Sequence, residues 1–280
     1  MILKSYAKIN LSLDLVGKRE DGYHLLKTVM QTVSLCDIVS LERIESGIEI
    51  SCNRRYIPTD ERNIVHKVAT AFFNHTGIKG GVRIGLKKYI PCGAGLGGGS
   101  SNGAVVLDGL CKLYDISIPV EQKVKITQSI GADIPFFFYG GTALCEGIGE
   151  KITPLKSIPK CWFVLAKPSV SLSTAAVFTS PLTAENFGGN STDGVVFGIE
   201  NGSLLQIAKS AQNALEPASL QLCSKIEKLK KMLSDSGAVM SMMSGSGSTV
   251  YGMFTSHAQA RTAYYKMKIF CKDTYIVKPI

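Results

Sequence analysis

The sequence predicts an α+β fold in two domains, and three observations carry that expectation. The opening segment alternates as strands do, with Ile9, Leu11, Leu13 and Leu15 on one face. Residues 218–233 repeat apolar groups at helical spacing, with Leu222, Ile226, Leu229 and Leu233 turned inward and lysines on the other side. The mixture of strand and helix patterns begins anew after Lys151, which sets a boundary near residue 153 and domains of 1–153 and 154–280.

The elements follow in order. A turn at 18–22 leads into a second extended stretch through Val33, and residues 38–43 and 48–52 read as two short strands. Asn63 begins a helix that buries Val65, Val68, Ala69, Phe72 and Phe73 and ends over 74–77. Residues 82–86 form a strand that enters a glycine-rich loop, and helices are expected over 101–113 and 120–130. Further on, 162–166 is a strand, 173–178 a loop or helix start, and 183–198 the least ordered-looking stretch. A strand at 250–254, a helix at 258–268 and a strand at 275–277 complete the pattern.

Composition narrows the function. The 280 residues are 45% apolar and 19% charged, which is ordinary for a globular chain, and no run reaches the ~18 apolar residues of a membrane span. The N-terminus carries neither a secretory nor a transit pattern, so the expected location is the cytoplasm. Eight cysteines lack any Cys-x-x-Cys pair, which argues against zinc and for small core residues in a reducing compartment. The net charge of +9 attracts anions. Its lysines and arginines are dispersed apart from short groups, with no basic tail and no aromatic-basic platform, so charge alone leaves nucleic acid and phosphorylated small molecules both open, and no membrane partner is expected.

Residues 91–102 read Pro-Cys-Gly-Ala-Gly-Leu-Gly-Gly-Gly-Ser-Ser-Asn. Five glycines in seven residues are costly in any regular element. Their physical use is to bring backbone N–H groups against an anion at a helix N-terminus. Ser100 and Ser101 are placed to cap that helix and to donate hydroxyls to phosphate or to a phosphate-bound magnesium ion. A flexible strand-to-helix turn is the plainer alternative. The loop lacks the Gly-Lys-Ser/Thr ending of a Walker motif. A dinucleotide fingerprint through Gly93, Gly95 and Gly98, with Asp115, follows strands that do not look like a parallel βαβ unit.

The loop resembles the phosphate loop of the GHMP kinases, and its Gly-Gly-Gly-Ser-Ser-Asn form resembles the branch that acts on diphosphocytidyl sugar alcohols in non-mevalonate isoprenoid synthesis. Two further stretches support that branch: Ala7-Lys8-Ile9-Asn10-Leu11 with Asp21-Gly22-Tyr23-His24, and Gly131-Ala132-Asp133-Ile134-Pro135-Phe136-Phe137. A third glycine segment at 244–249 matches the family's last motif, and the resemblance spans essentially the whole chain. It implies a ribosomal-protein-S5-domain-2-like N-terminal domain, a ferredoxin-like C-terminal domain, and ATP-dependent phosphorylation of a substrate hydroxyl.

The resemblance also implies roles. Asp133 takes the hydroxyl proton and Lys8 steadies the developing charge. Pro91, Gly93, Gly95, Leu96, Gly97, Gly98, Gly99, Ser100 and Ser101 hold ATP, with Asn63 toward adenine and Lys88, just before the loop, a further candidate. Asn10 lines the substrate, Tyr23 and Phe178 wall the cytosine, and His24 hydrogen-bonds it. Met30 departs from the aromatic that family members often carry there. Mg²⁺ is implied with no ligand assigned. Bottom-up, Lys8 alone reads as a solvated residue on an amphipathic strand, His24 as structural and Asp133 as a loop or cap residue. The rivals are a GHMP kinase acting on mevalonate or homoserine, a nicotinamide-dependent oxidoreductase and a nucleic-acid binder. The expected assembly is a monomer or homodimer.

Overall fold

The computed structural model describes residues 1–20, 22–184 and 187–280, with Ala184 in its backbone only. Asp21 of the Asp-Gly-Tyr-His motif, and two residues of the 183–198 stretch, lie outside the described residues. The strands are β1 (Ile2–Lys18), β2 (His24–Ile44), β3 (Gly47–Cys52), β4 (Gly81–Lys87), β5 (Thr142–Gly147), β6 (Lys151–Pro154), β7 (Trp162–Lys167), β8 (Met240–Met243), β9 (Val250–Phe254) and β10 (Asp273–Val277). The helices are α1 (Ile64–Thr76), α2 (Gly98–Leu113), α3 (Val120–Thr127), α4 (Ile134–Tyr139), α5 (Thr174–Phe178) and α6 (Pro181–Ala184). They continue with α7 (Ser191–Glu200), α8 (Leu204–Ser210), α9 (Glu216–Leu222), α10 (Lys225–Asp235) and α11 (His257–Phe270).

The chain forms two compact units, each assembled from three segments: Met1–Ala7, Leu35–Ile90 and Gly97–Tyr139 in the first, Lys8–Ser34, Pro91–Leu96 and Gly140–Ile280 in the second. No single cut near residue 153 separates them, because β1 and β2 are long enough for each to contribute to both. In the first unit β4 pairs antiparallel with Ile38–Ile44 of β2 and parallel with β3. Helices α1 and α2 bury Val65, Val68, Phe72, Leu107 and Leu110 with Leu41 and Ile84. Asn63 caps α1 by accepting from the Val65 N–H, and Gly77 ends it at φ 67°, where a side chain would be strained. Phe73 is only partly buried.

In the second unit β2 pairs with β5, and β5 with β6. A four-stranded antiparallel sheet follows in the order β10-β7-β9-β8. Val164, Ala166, Val250 and Phe254 pack there with Ile226, Leu229, Leu233, Ala260 and Met267. The single helix expected over 218–233 is two helices. Cys223 is extended (φ −151°, ψ 91°) and turns its own side chain inward, leaving Leu222 49% exposed. Apolar spacing alone could not register that break, because Ile226, Leu229 and Leu233 keep the same face buried in α10. Helix α2 begins at Gly98, three residues before the expected start. Gly97, at φ 66°, reverses the chain and is the N-cap, so Ser100 and Ser101 lie inside the first turn and do not cap it.

Strand β1 is buried on both faces. Ala7, Ile9, Leu11, Leu13 and Leu15 form its apolar side; Lys8, Asn10, Ser12 and Asp14 are at most 3% exposed on the other. A row of buried polar groups is expensive unless each is hydrogen-bonded. Its partners define the site.

Candidate active site

In the second unit the Lys8 ammonium donates to Asn10 Oδ1 at 2.7 Å, and Asn10 Nδ2 donates to the Thr28 hydroxyl at 2.9 Å. The Asn10 carbonyl accepts from the Tyr251 hydroxyl, which burial pushes well above its ordinary pKa and so keeps as a donor. Two glycine turns close on this row. The Lys8 N–H donates to the Leu96 carbonyl at 3.0 Å, and the Thr249 N–H to the Ala94 carbonyl at 3.3 Å. The Ser244 hydroxyl donates to the Gly95 carbonyl at 2.9 Å while accepting from the Asn10 N–H at 3.3 Å. At Gly95 (φ 73°) a Cβ would stand 2.0 Å from the Ser244 carbonyl oxygen, and at Gly245 (φ 56°) it would stand 3.5 Å from the Lys8 ammonium. Glycine is required at Gly95 by both space and conformation. The segment 244–249 therefore braces the phosphate-loop candidate, with Asn213 Nδ2 donating to the Met243 and Gly245 carbonyls. Pro91 is half-buried, Gly93 is exposed at φ 58°, and Leu96 is 1% exposed, contributing its carbonyl.

The base-pocket candidates lie in the same unit. The His24 ring is 5.4 Å from Phe178 and 5.6 Å from Phe187. Burial, with Lys18 nearby, lowers its pKa, so the imidazole is neutral at pH 7. Tyr23 is 63% exposed and Met30 is 3% exposed.

The first unit holds the other half of the candidates. Gly97, Gly98 and Gly99 deliver the chain into α2, whose N-terminus has no side-chain cap and presents backbone N–H groups with the positive end of the helix dipole. A Cβ on Gly98 would meet Ile90 at 2.9 Å, so this turn also excludes a side chain. Ser100 is half-buried, and a side-chain carbon at Gly131 would sit 3.6 Å from its hydroxyl. The turn ending in Asp133 thus lies beside the first turn of α2. Asp133 is half-buried, next to the buried Ile134, Pro135 and Phe136. Asn63 uses its amide within the chain: Oδ1 caps α1 and Nδ2 donates to the Pro58 carbonyl at 2.7 Å.

The first unit also holds a buried network that the sequence pattern does not reveal. Lys88 Nζ pairs with Asp37 Oδ2 and donates to Asn102 Oδ1 at 2.6 Å. Asp37 Oδ1 accepts from the Tyr89 and Ile90 N–H groups at 2.7 and 2.8 Å. Asn102 Nδ2 reaches Ser5 and Asp37, and the Ser5 and Ser101 hydroxyls are 2.7 Å apart. Lys88 therefore anchors both ends of the loop's approach, from strand end to helix. Asp37 and Ser5 carry no periodic or motif signal, since their partners stand 51 to 97 residues away. Phe187 was missed for a different reason: it sits among glycine and polar residues that read as a loop.

The chain matches the models of the GHMP kinases N terminal domain over residues 63–141 and the GHMP kinases C terminal region over 198–273. It is 44% identical to a 4-diphosphocytidyl-2-C-methyl-D-erythritol kinase of Clostridium kluyveri and 42% identical to one of Clostridium novyi, each over the full length of both chains. A solved 4-(cytidine 5'-diphospho)-2C-methyl-D-erythritol kinase superposes with a TM-score of 0.85 at 30% identity, covering 100% of this chain and 99% of that one. A homoserine kinase from Cytophaga hutchinsonii, at 19% identity and TM-score 0.76, shares the fold over 100% of this chain and 94% of its own. The two-domain α+β expectation stands, and the chain belongs to the 4-diphosphocytidyl-2-C-methyl-D-erythritol kinase family of GHMP kinases.

Proposed function

We propose that the protein transfers the γ-phosphoryl group of ATP to the 2-hydroxyl of 4-diphosphocytidyl-2-C-methyl-D-erythritol, giving the 2-phosphate and ADP. The observation that carries this assignment is 44% identity, over the whole of both chains, with a kinase of that name. The glycine turn through Gly93, Gly95, Leu96, Gly97, Gly98 and Gly99 and the N-terminus of α2 receive the phosphates, with Pro91, Ser100 and Ser101 shaping the turn and Asn63 at the adenine end. Asp133 accepts the proton of the substrate hydroxyl as its oxygen attacks the γ-phosphorus and the bond to the β,γ-bridging oxygen breaks. Lys8, oriented by Asn10, offsets the charge that develops. Tyr23 and Phe178 stack on the cytosine, and neutral His24 hydrogen-bonds its edge.

Magnesium supplies charge neutralisation on the triphosphate. Such an ion keeps water and phosphate oxygens and takes only one or two protein oxygens. Among the described residues no three His, Cys, Asp or Glu side chains cluster, which fits an ion carried by the nucleotide, and the half-buried Ser100 hydroxyl in the first turn of α2 is the protein oxygen that suits it. No helix among the described residues is long and apolar enough to cross a membrane. We place the enzyme in the cytoplasm as a monomer or homodimer.

Phosphorus NMR with ATP, magnesium and the diphosphocytidyl substrate tests the reaction. A new phosphomonoester signal with ADP, lost in Asp133→Asn, is expected. Turnover of mevalonate or homoserine in place of this substrate would overturn the substrate, and near-normal turnover by Asp133→Asn would overturn the base.

A further inference from the structure

His24 does not stand alone on its strand. Its imidazole has two phenyl neighbours and is tilted 41° to Phe178 and nearly parallel, at 16°, to Phe187. An offset parallel pair at this spacing fixes a ring plane. Phe178 comes from α5, which packs on the core. Phe187 comes from a glycine-rich turn, so something other than core packing must hold it.

That support is β1. Phe187 bridges to Leu15, and the Gly188 N–H donates to the Leu15 carbonyl at 2.9 Å. Asp14, 2% exposed, accepts from the Ser191 hydroxyl at 2.6 Å and from the Thr192 N–H at 2.8 Å. The Ser12 and Thr192 hydroxyls are 2.9 Å apart. At Gly189 a Cβ would stand 2.8 Å from Asp14 Oδ1, so the turn runs against the carboxylate where only glycine fits. Asp14 is thus spent on fixing the N-terminus of α7 and the turn before it. The far end of that turn carries Phe187, which is still 38% exposed.

We propose that Phe187, held by Asp14 through the 188–192 turn, is a positioning residue for His24 and thereby sets affinity for the cytidine end of the substrate. The inference rests on the reading that His24 meets the cytosine. In this reading Phe187, nearly parallel to the imidazole and offset from it, limits water on that side of the ring and leaves the ring edge to meet a base. Among the described residues Lys18, on β1, is the charged group acting on His24; α5 and residues 187–190 contain no ionisable side chain.

The test compares Phe187→Ala, Phe187→Tyr and His24→Gln in the full-length enzyme. The His24 ring signals, assigned by their loss in His24→Gln, are titrated by NMR without substrate, and KM for each substrate and kcat are measured. In Phe187→Ala the His24 midpoint should rise toward 6.5, and KM for the diphosphocytidyl substrate should rise roughly two- to tenfold. KM for ATP and kcat should hold, and Phe187→Tyr should restore both readouts. An unmoved His24 midpoint, or an unmoved KM in Phe187→Ala where His24→Gln does raise KM, overturns the inference. If the midpoint moves but His24→Gln leaves KM unchanged, the positioning stands and the assignment of His24 to the base falls.

Discussion

Replacing Asp37 by asparagine would strand the charge of Lys88 where water does not reach it. The two side chains are 0% and 5% exposed. An asparagine that keeps its oxygen toward the Tyr89 and Ile90 N–H groups turns its NH₂ toward the Lys88 ammonium and the Asn102 amide, donor against donor. Removing one partner of a buried ion pair costs about 3–5 kcal/mol. At roughly 2–4 °C per kcal/mol for chains near this size, Tm should fall by about 6–20 °C. Lys88→Met leaves the Asp37 carboxylate three neutral donors and should cost less. The double variant has no orphaned charge and should recover at least about 2 kcal/mol relative to Asp37→Asn, a coupling that a double-mutant cycle isolates. Urea unfolding followed by circular dichroism reads all four proteins, and KM for ATP should rise in Asp37→Asn as the loop loses its anchor. The reasoning is refuted if Asp37→Asn unfolds within about 1 kcal/mol of the parent, or if the double variant is no more stable than Asp37→Asn.

Lys8→Met keeps the aliphatic stem and removes the charge; kcat should fall roughly 10²-fold or more with KM for ATP little changed, checked by steady-state kinetics. Gly95→Ala drives a methyl into the Ser244 carbonyl at a left-handed backbone, so stability should drop by more than about 2 kcal/mol and ATP turnover should be lost. Cys161 gives a pH signature. Burial pushes its thiol from 9.0 up to about 12, so the unfolded chain releases that proton first and stability falls as pH rises from 9 toward 12, by about 1.4 kcal/mol per unit. Urea unfolding at pH 8 and 10 should show the parent losing about 1 kcal/mol more than Cys161→Val; equal losses would refute the assignment.

The parts of the fold legible in the sequence were those written in short-range pattern. Alternation in β1 placed Ile9 through Leu15, Asn63 announced α1, and the density of glycine announced the loop. The other face of β1 was ambiguous, because Lys8 on an amphipathic strand reads as solvated until the strand is known to be buried on both sides. What stayed hidden was long-range. The hydrogen bonds of Asp37 to Tyr89 and Ile90, and of Asp14 to Ser191 and Thr192, join residues 52, 53, 177 and 178 apart and leave no period in the chain. The break at Cys223 was hidden differently, since a buried cysteine beside a continuing apolar stripe looks like one more helical position.

The interleaved segments of the two units also dictate an order of synthesis. Every residue of the first unit has been made once Tyr139 is translated, although residues 8–34 and 91–96 within that stretch belong to the other unit. Those residues leave the ribosome long before their partners. Thr32, Val33 and Ser34 wait for Lys278, Pro279 and Ile280, to which their backbones are bonded. At synthesis rates of about 5–20 residues per second, that wait lasts on the order of ten seconds or more. For most of that time β1 has β2 beside it, but Asn10 still lacks Ser244 and Tyr251, to which it is hydrogen-bonded in the folded chain. The strand that carries Lys8 and Asn10 is among the first parts of the protein to be born and among the last to have all its buried polar groups partnered, which makes it the segment a nascent-chain chaperone would have most reason to cover.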